Sequence, residues 1–342
     1  MSQEKTTIVL GAGASAEARL PTGAQLKKII AASLTFTYKR GHVTSGDEIM
    51  FQTLQQEPNI DECVRAAERI RKALPQAPSI DEFIDNHRGN AAIERCGKLA
   101  IVRSILQAEK QSSLFVNPSN FYKELNFSSV EDTWFNIFWQ RITANCQADQ
   151  LEKRFSSIVF IVFNYDRCLE HYLYRSIQNY YGLSSDAAGN LVSSIKIYHP
   201  YGTVGSLPWS SDQPKVEFGA EPIVGQLGDL AEQIRTFTEG TDPQMSEVLA
   251  IRNHVAEADK LLFLGFAYHQ QNIKLLKSEE KFRSNSNSRC WGTAYGISDN
   301  DRPLVERELR GLYGKNTPYE MEIRNLKCRG LFEMYSRDLS FV

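Results

Sequence analysis

The sequence predicts an α/β protein built on a doubly wound parallel sheet with a large helical insertion. Runs that are apolar on successive residues occur at 6–10 (TTIVL), 157–163 (SIVFIVF), 194–198 (SIKIY), 260–265 (KLLFLG) and 289–296 (RCWGTAYG). Such runs suit strands buried on both faces of a parallel sheet. Helical periodicity lies between them, and strands alternating with helices point to a Rossmann-like arrangement. The first run also breaks at once into GAGASA (11–16), a turn that leads from strand to helix.

Taken in order, the first strand at 6–10 is followed by about 147 residues that read as helix or loop, up to the second strand at 157–163. Within that stretch DECVRAAERIRKAL (61–74) places Val64, Ala67, Ile70 and Leu74 on one helical stripe. Ser79-x-x-Glu82 after Pro78 reads as a capping box. Gly41–Ser45 and LPQAPS (74–79) are the expected breaks, and no pair of strands suggests a second sheet. The expected division is a core of residues 1–24 and 151–342, with 25–150 a mostly helical insertion covering part of the ligand edge. Past the second strand, CLEHYLYRSI, AEQIRTF and SEVLAIRNHVAEADK have helical periodicity and separate the remaining strands.

Bulk properties narrow the function classes. The 342 residues carry a formal net charge of -2, which gives no electrostatic reason to expect nucleic acid or an anionic membrane as the main ligand. No stretch approaches the roughly 20 apolar residues of a membrane span, and MSQEKTT lacks the apolar segment of a signal peptide. Six cysteines without a CxxC spacing read as reduced thiols of a cytoplasmic protein and leave no zinc ribbon, so no metal is expected.

Gly11-Ala12-Gly13-Ala14-Ser15-Ala16 fits G-x-G-x-x-G/A in its proper context, a strand before and a helix after. Glycines there permit a tight turn and let backbone amides approach a pyrophosphate. The competing reading is a tight turn with no ligand. A dehydrogenase would want an acid about 20 residues on to hold the ribose hydroxyls. No acid lies between Glu17 and Asp47, so a redox role is disfavoured. Pro21-Thr22-Gly23 ends the first helix early and leaves an ordered loop over the site.

Together with FNYD at 163–166 and YHPYG at 198–202, this order of motifs resembles the sirtuin superfamily. Within it, the chain is most similar to the sirtuin-like NAD-hydrolysing branch of bacterial antiphage defence. LGFAYHQQN (264–272) and GTAYG (292–296) look like that branch's later ribose-binding segments, and SIDEF (79–83) looks familiar within the insertion. The resemblance implies an NAD+ glycohydrolase that releases nicotinamide and ADP-ribose. It places Gly11, Ala12, Gly13, Ala14, Ser15, Pro21, Thr22, Gly265, Phe266 and Asn272 along the dinucleotide.

By the same resemblance Asn164 orients the ribose or a water, Asp166 contacts the nicotinamide pocket and His199 is the base. Asp166 has a second reading as the cap of the helix after it. Alignment on Gly202 would instead put Tyr201 in the place of the base, although a phenol that ionises near pH 10 is poorly suited to that task. His171 and His269 read as packing or surface residues, and Trp209 and Phe266 as core or stacking surfaces. Two alternatives stay open, an NAD-dependent protein deacylase and a non-catalytic NAD or ADP-ribose sensor. An unrestrained NADase would poison its own cell, so homo-oligomerisation or a partner motor ATPase is the expected control.

Overall fold

The structure is a computed structural model that describes residues 4–39, 42–119, 124–240, 246–278, 288–313 and 318–341. The chain opens with β1 (Thr6–Leu10), α1 (Ala12–Ser15), α2 (Gly23–Ser33) and a hairpin, β2 (Thr37–Lys39) and β3 (His42–Ser45). Helices follow: α3 (Glu48–Gln55), α4 (Ile60–Ala73), α5 (Ile80–Asn86), α6 (Ala91–Gln111), α7 (Trp134–Ile142) and α8 (Leu151–Phe155). Then come β4 (Ile158–Val162), α9 (Cys168–Tyr181), α10 (Ser185–Ser194), β5 (Lys196–Tyr198), α11 (Val224–Ala231), α12 (Phe237–Gly240) and α13 (Ser246–Ala256). The last elements are β6 (Lys260–Leu264), α14 (Gln270–Leu276), β7 (Arg289–Thr293), α15 (Arg302–Arg310), β8 (Glu320–Arg324) and α16 (Cys328–Met334).

Among the described residues, six strands form one all-parallel sheet in the order β5-β4-β1-β6-β7-β8. This is a Rossmann-like α/β fold. The side-chain alternation of each strand feeds two cores. Val9, Ile161, Leu261 and Phe263 enter one, while Ile8, Phe160, Leu262 and Trp291 enter the other. Helices from residues 23–155 contribute to both, with Leu26, Ile70 and Leu99 on the first face and Trp134 and Phe138 on the second. Burial on both faces is why the strands read as unbroken apolar runs.

The structure corrects several readings. A sixth strand, β8, went unread because three of its five residues are charged. Only Ile323 of its five residues is buried, so EMEIR shows charge rather than an apolar run. A second, two-stranded sheet does exist: β2 pairs antiparallel with β3, its branched Thr37 and Thr44 hydrogen-bonded across the ladder. His42–Ser45 is therefore strand rather than a break, and Gly41 lies outside the described residues. AEQIRTF is not one helix. α11 ends at Ala231, and α12 starts anew because the Glu239 carboxylate accepts the Thr236 N–H at 2.6 Å.

Ser79 Oγ accepts the Glu82 N–H at 3.0 Å and caps α5, but among the described residues the Glu82 carboxylate takes no hydrogen bond from the Ser79 N–H, so only half of the expected capping box forms. The first helix stops before Pro21, with Arg19 left-handed at φ 70° and Thr22 opening α2 through a capping box with Gln25. All six cysteines are buried and free. Among the described residues, no helix is long and apolar enough to cross a membrane, and no group of three or more His, Cys, Asp or Glu could hold a metal ion.

Candidate functional site

Open α/β sheets bind ligands beyond the carboxyl ends of their strands, where the strand order reverses. Here that point lies between β1 and β6. The loops leaving those two strands lie backbone against backbone. Gly11 N–H donates to Leu264 O at 3.0 Å, and Gly13 N–H to Gly265 O at 2.9 Å. Gly265 N–H in turn donates to Thr293 Oγ1 at 2.7 Å. A Cβ on Gly11 would stand 2.6 Å from Gly265 O, and one on Gly265 2.0 Å from Ala14 N. The glycines thus serve loop–loop contact first. Gly265 also has φ +58°, so Gly265→Ala carries both left-handed strain and a backbone clash. A loss of at least about 2 kcal/mol in urea unfolding is expected.

Behind this turn lies a buried polar cluster. Asn164 Nδ2 donates to Gly11 O and to Ser15 Oγ, each at 3.0 Å, and Ser15 Oγ donates to Asp166 Oδ1 at 3.0 Å. Asp166 Oδ1 also accepts the Cys168 N–H at the start of α9, so it caps that helix as well as joining the cluster. Burial pushes the Asp166 carboxyl above the usual carboxylate range, against the pull of its donors. The Cys168 thiol adds a side-chain hydrogen bond to the Asp166 carboxylate. Asn164 Oδ1 takes no hydrogen bond from a described residue and is not a sealed, orphaned atom, so it is the acceptor of the cluster left open.

On the β6–β8 side of the same turn opens a cavity of about 1110 Å³, above the roughly 300–1,000 Å³ of ordinary ligand pockets. Ala12 and Gly13 line it, with Pro21 and Thr22 from the loop before α2 and Gly265 and Phe266 from the end of β6. α2 and α6 supply Lys28, Ser104, Gln107 and Gln111, and the ends of β7 and β8 supply Tyr295 and Lys327. Gly11, Ala14, Ser15, Asn164, Asp166, His199 and Asn272 lie outside this lining. Glu17 is the one acidic residue among the described residues of the lining. Its two oxygens accept the N–H groups of Trp134 (2.7 Å) and Arg329 (2.9 Å), and burial raises its carboxyl above the ordinary range.

His199 and Tyr201 part company. His199 Nδ1 lies 3.3 Å from Asn164 O, and Nε2 lies 2.6 Å from Glu170 Oε1 on α9. Both ring nitrogens thus face acceptors, an arrangement that suits an imidazolium. Burial pulls the His199 pKa down, but the Glu170 carboxylate and the two hydrogen bonds outweigh it, leaving the net value above the ordinary one. Tyr201 packs in the opposite core against Phe163, and its hydroxyl donates to Asn272 Oδ1 at 2.5 Å. Burial drives this phenol far above its usual range.

A raised folded-state pKa stabilises the protein fully below the unfolded value near 6.5 and ceases to do so as pH rises through the folded value. The Tm gap between wild type and His199→Gln is accordingly expected to be widest near pH 6 and to narrow toward pH 8. Thermal melts across that range check it, and a gap that widens with pH would refute it.

Sequence reasoning missed the partners that distance in the chain conceals. Asp81, in SIDEF, accepts a hydrogen bond from the Tyr165 hydroxyl of FNYD, and burial raises its carboxyl. Glu170 and Glu109 sit in ordinary helical patterns and reveal their roles only through His199 and Arg167. His171, read as packing or surface, is buried against Phe218 with Nε2 3.1 Å from Leu114 O, and burial lowers its pKa to about 3. In comparisons with family models, curated proteins and solved structures, nothing matched this chain.

Proposed function

We propose that the chain binds NAD+ across the β1–β6 switch point and hydrolyses its N-glycosidic bond, giving nicotinamide and ADP-ribose. The observation that carries this reading is the open acceptor Asn164 Oδ1, with Asp166 joined to it through Ser15, held by hydrogen bonds to the turn whose Ala12 and Gly13 line the cavity. Nicotinamide leaves the dinucleotide as a neutral molecule, so the reaction needs little acid catalysis. It needs fixed acceptors facing the cationic, oxocarbenium-like ribose and a water placed at the anomeric carbon. In this reading Asn164 faces the ribose and water, and Asp166 faces the carboxamide of nicotinamide. His199, with both nitrogens engaged, holds the Asn164 backbone carbonyl. The adenosine half then lies in the cavity on the β6–β8 side. Depletion of NAD+ in an antiphage response would be the cellular use, gated by self-assembly or by a motor ATPase partner.

The test is release of free nicotinamide from NAD+ by the purified chain, with and without candidate partners, alongside direct binding of NAD+. Binding and turnover are expected together. Binding with no turnover under any of these conditions would favour a second reading, a dinucleotide sensor. The observation behind that reading is that Asn164, Asp166 and His199 stand outside the cavity lining. Turnover that required an acyl-lysine peptide would instead indicate a deacylase.

A further inference from the structure

The charge of the cavity departs from what an unmodified adenosine ribose asks for. Proteins that read a ribose 2′,3′-diol place a carboxylate against it, whereas those that read a 2′-phosphate place a cation there. Among the described lining residues Glu17 alone is acidic, and both its oxygens are committed to backbone amides. No described lining residue therefore has a carboxylate oxygen left to accept from a diol.

What stands at the rim is a cation over an aromatic ring. Tyr295 lines the cavity yet is 67% exposed, an unusual degree for so large an apolar side chain. Lys327 Nζ sits 5.2 Å from the centre of that ring and forms no ion pair with a described residue. Arg19 and Lys28, on the opposite lip, are likewise without an ion pair among the described residues. A second observation points inward. Ser104 on α6 lines the cavity with 0% exposure, and its Oγ has no hydrogen-bond partner. A buried hydroxyl left unpaired costs free energy that a ligand oxygen would recover.

The geometry points to a 2′-phosphorylated dinucleotide, of the NADP+ class, as the preferred ligand, with Lys327 as the residue that reads the added phosphate and Tyr295 as the surface under the base. This rests on the dinucleotide reading above and names the substrate class of that same site. It places the adenosine half at the β7–β8 rim because Asn164 and His199 follow β4 and β5, on the other side of β1. A dinucleotide reacting there extends away from them across β6.

The experiment uses two probes that lack the scissile bond, ADP-ribose and 2′-phospho-ADP-ribose, titrated calorimetrically at low salt, where a surface cation is least screened. The phosphorylated probe is expected to bind tighter by about ten- to a hundredfold, the range of one charge-assisted hydrogen bond. Lys327→Ala should bring that ratio near 1, and Lys327→Arg should keep most of it. Equal affinities in the wild type, or a ratio that survives Lys327→Ala, would overturn the inference while leaving the dinucleotide site standing. Failure of both probes, together with NAD+ and NADP+, to bind would overturn both.

Discussion

Arg167→Ala is expected to destabilise the protein by about 3–5 kcal/mol, the usual penalty for stripping one partner from a buried ion pair. The Arg167 side chain is 2% exposed and that of Glu109, on α6, is 0% exposed. They meet at two points, Nη2 to Oε2 at 2.6 Å and Nε to Oε1 at 3.1 Å. The remaining valences are filled by the loop between β5 and α11. Val216 O and Glu217 O accept from the guanidinium at 2.6 and 3.1 Å, and Gly219 N–H donates to Glu109 Oε2 at 2.9 Å. Removing the guanidinium leaves a buried carboxylate without its cation and takes a hydrogen bond from the carbonyls of Gly205, Val216 and Glu217 at once. Arg167→Lys should recover only part of the loss, because an ammonium cannot fork across a carboxylate. Glu109→Leu/Arg167→Met should fall less far than the sum of its single variants, since no charge is left unpaired. Urea unfolding of the four variants checks this, and a loss below about 1 kcal/mol for Arg167→Ala would contradict the account.

Asn164→Ala is expected to lower nicotinamide release by about a hundred- to a thousandfold, the scale of losing one preorganised polar group in a transition state. The carboxamide has two jobs. Its Nδ2 ties the cluster to Gly11 O and Ser15 Oγ, and its Oδ1 is an acceptor left open. Asn164→Asp separates them, because a carboxylate keeps an acceptor but loses the donor to Gly11 O. Fold should be monitored by thermal melting, since Asn164 is only 7% exposed. His199→Ala, which touches the cluster only through a backbone carbonyl at 3.3 Å, should cost less than Asn164→Ala. The reverse order, with His199→Ala the more damaging, would show that the imidazole acts on the substrate directly. Undiminished turnover in Asn164→Ala would remove the residue from the mechanism.

The Asn164 and Asp166 positions were legible because they sit two residues apart just past an apolar strand, and such a strand places its carboxyl end at the ligand edge. The glycine turn was legible for the same reason, although its glycines proved to serve packing against Gly265 as well as any ligand. The cavity was not legible. It is lined from α2, α6 and the ends of β1, β6, β7 and β8, and no local pattern states that Ser104 and Lys327 face one space. β8 escaped for a simpler reason: three of the five residues of EMEIR are charged, whereas SIKIY, which supplies the opposite edge strand β5, carries one charge.

Local sequence by itself determined the five strands that carry apolar runs, the early end of the first helix and the capping signals, because each depends on burial periodicity or on backbone groups within four residues. Tertiary structure alone decided which imidazole nitrogen meets Glu170, which core holds Tyr201 and which carboxylates are already spent. Those outcomes join residues from 29 to 312 positions apart. Pairings at such separations are set when the sheet closes and its helices dock, and the hydrophobic pattern that drives that closure is silent about which polar groups it brings face to face.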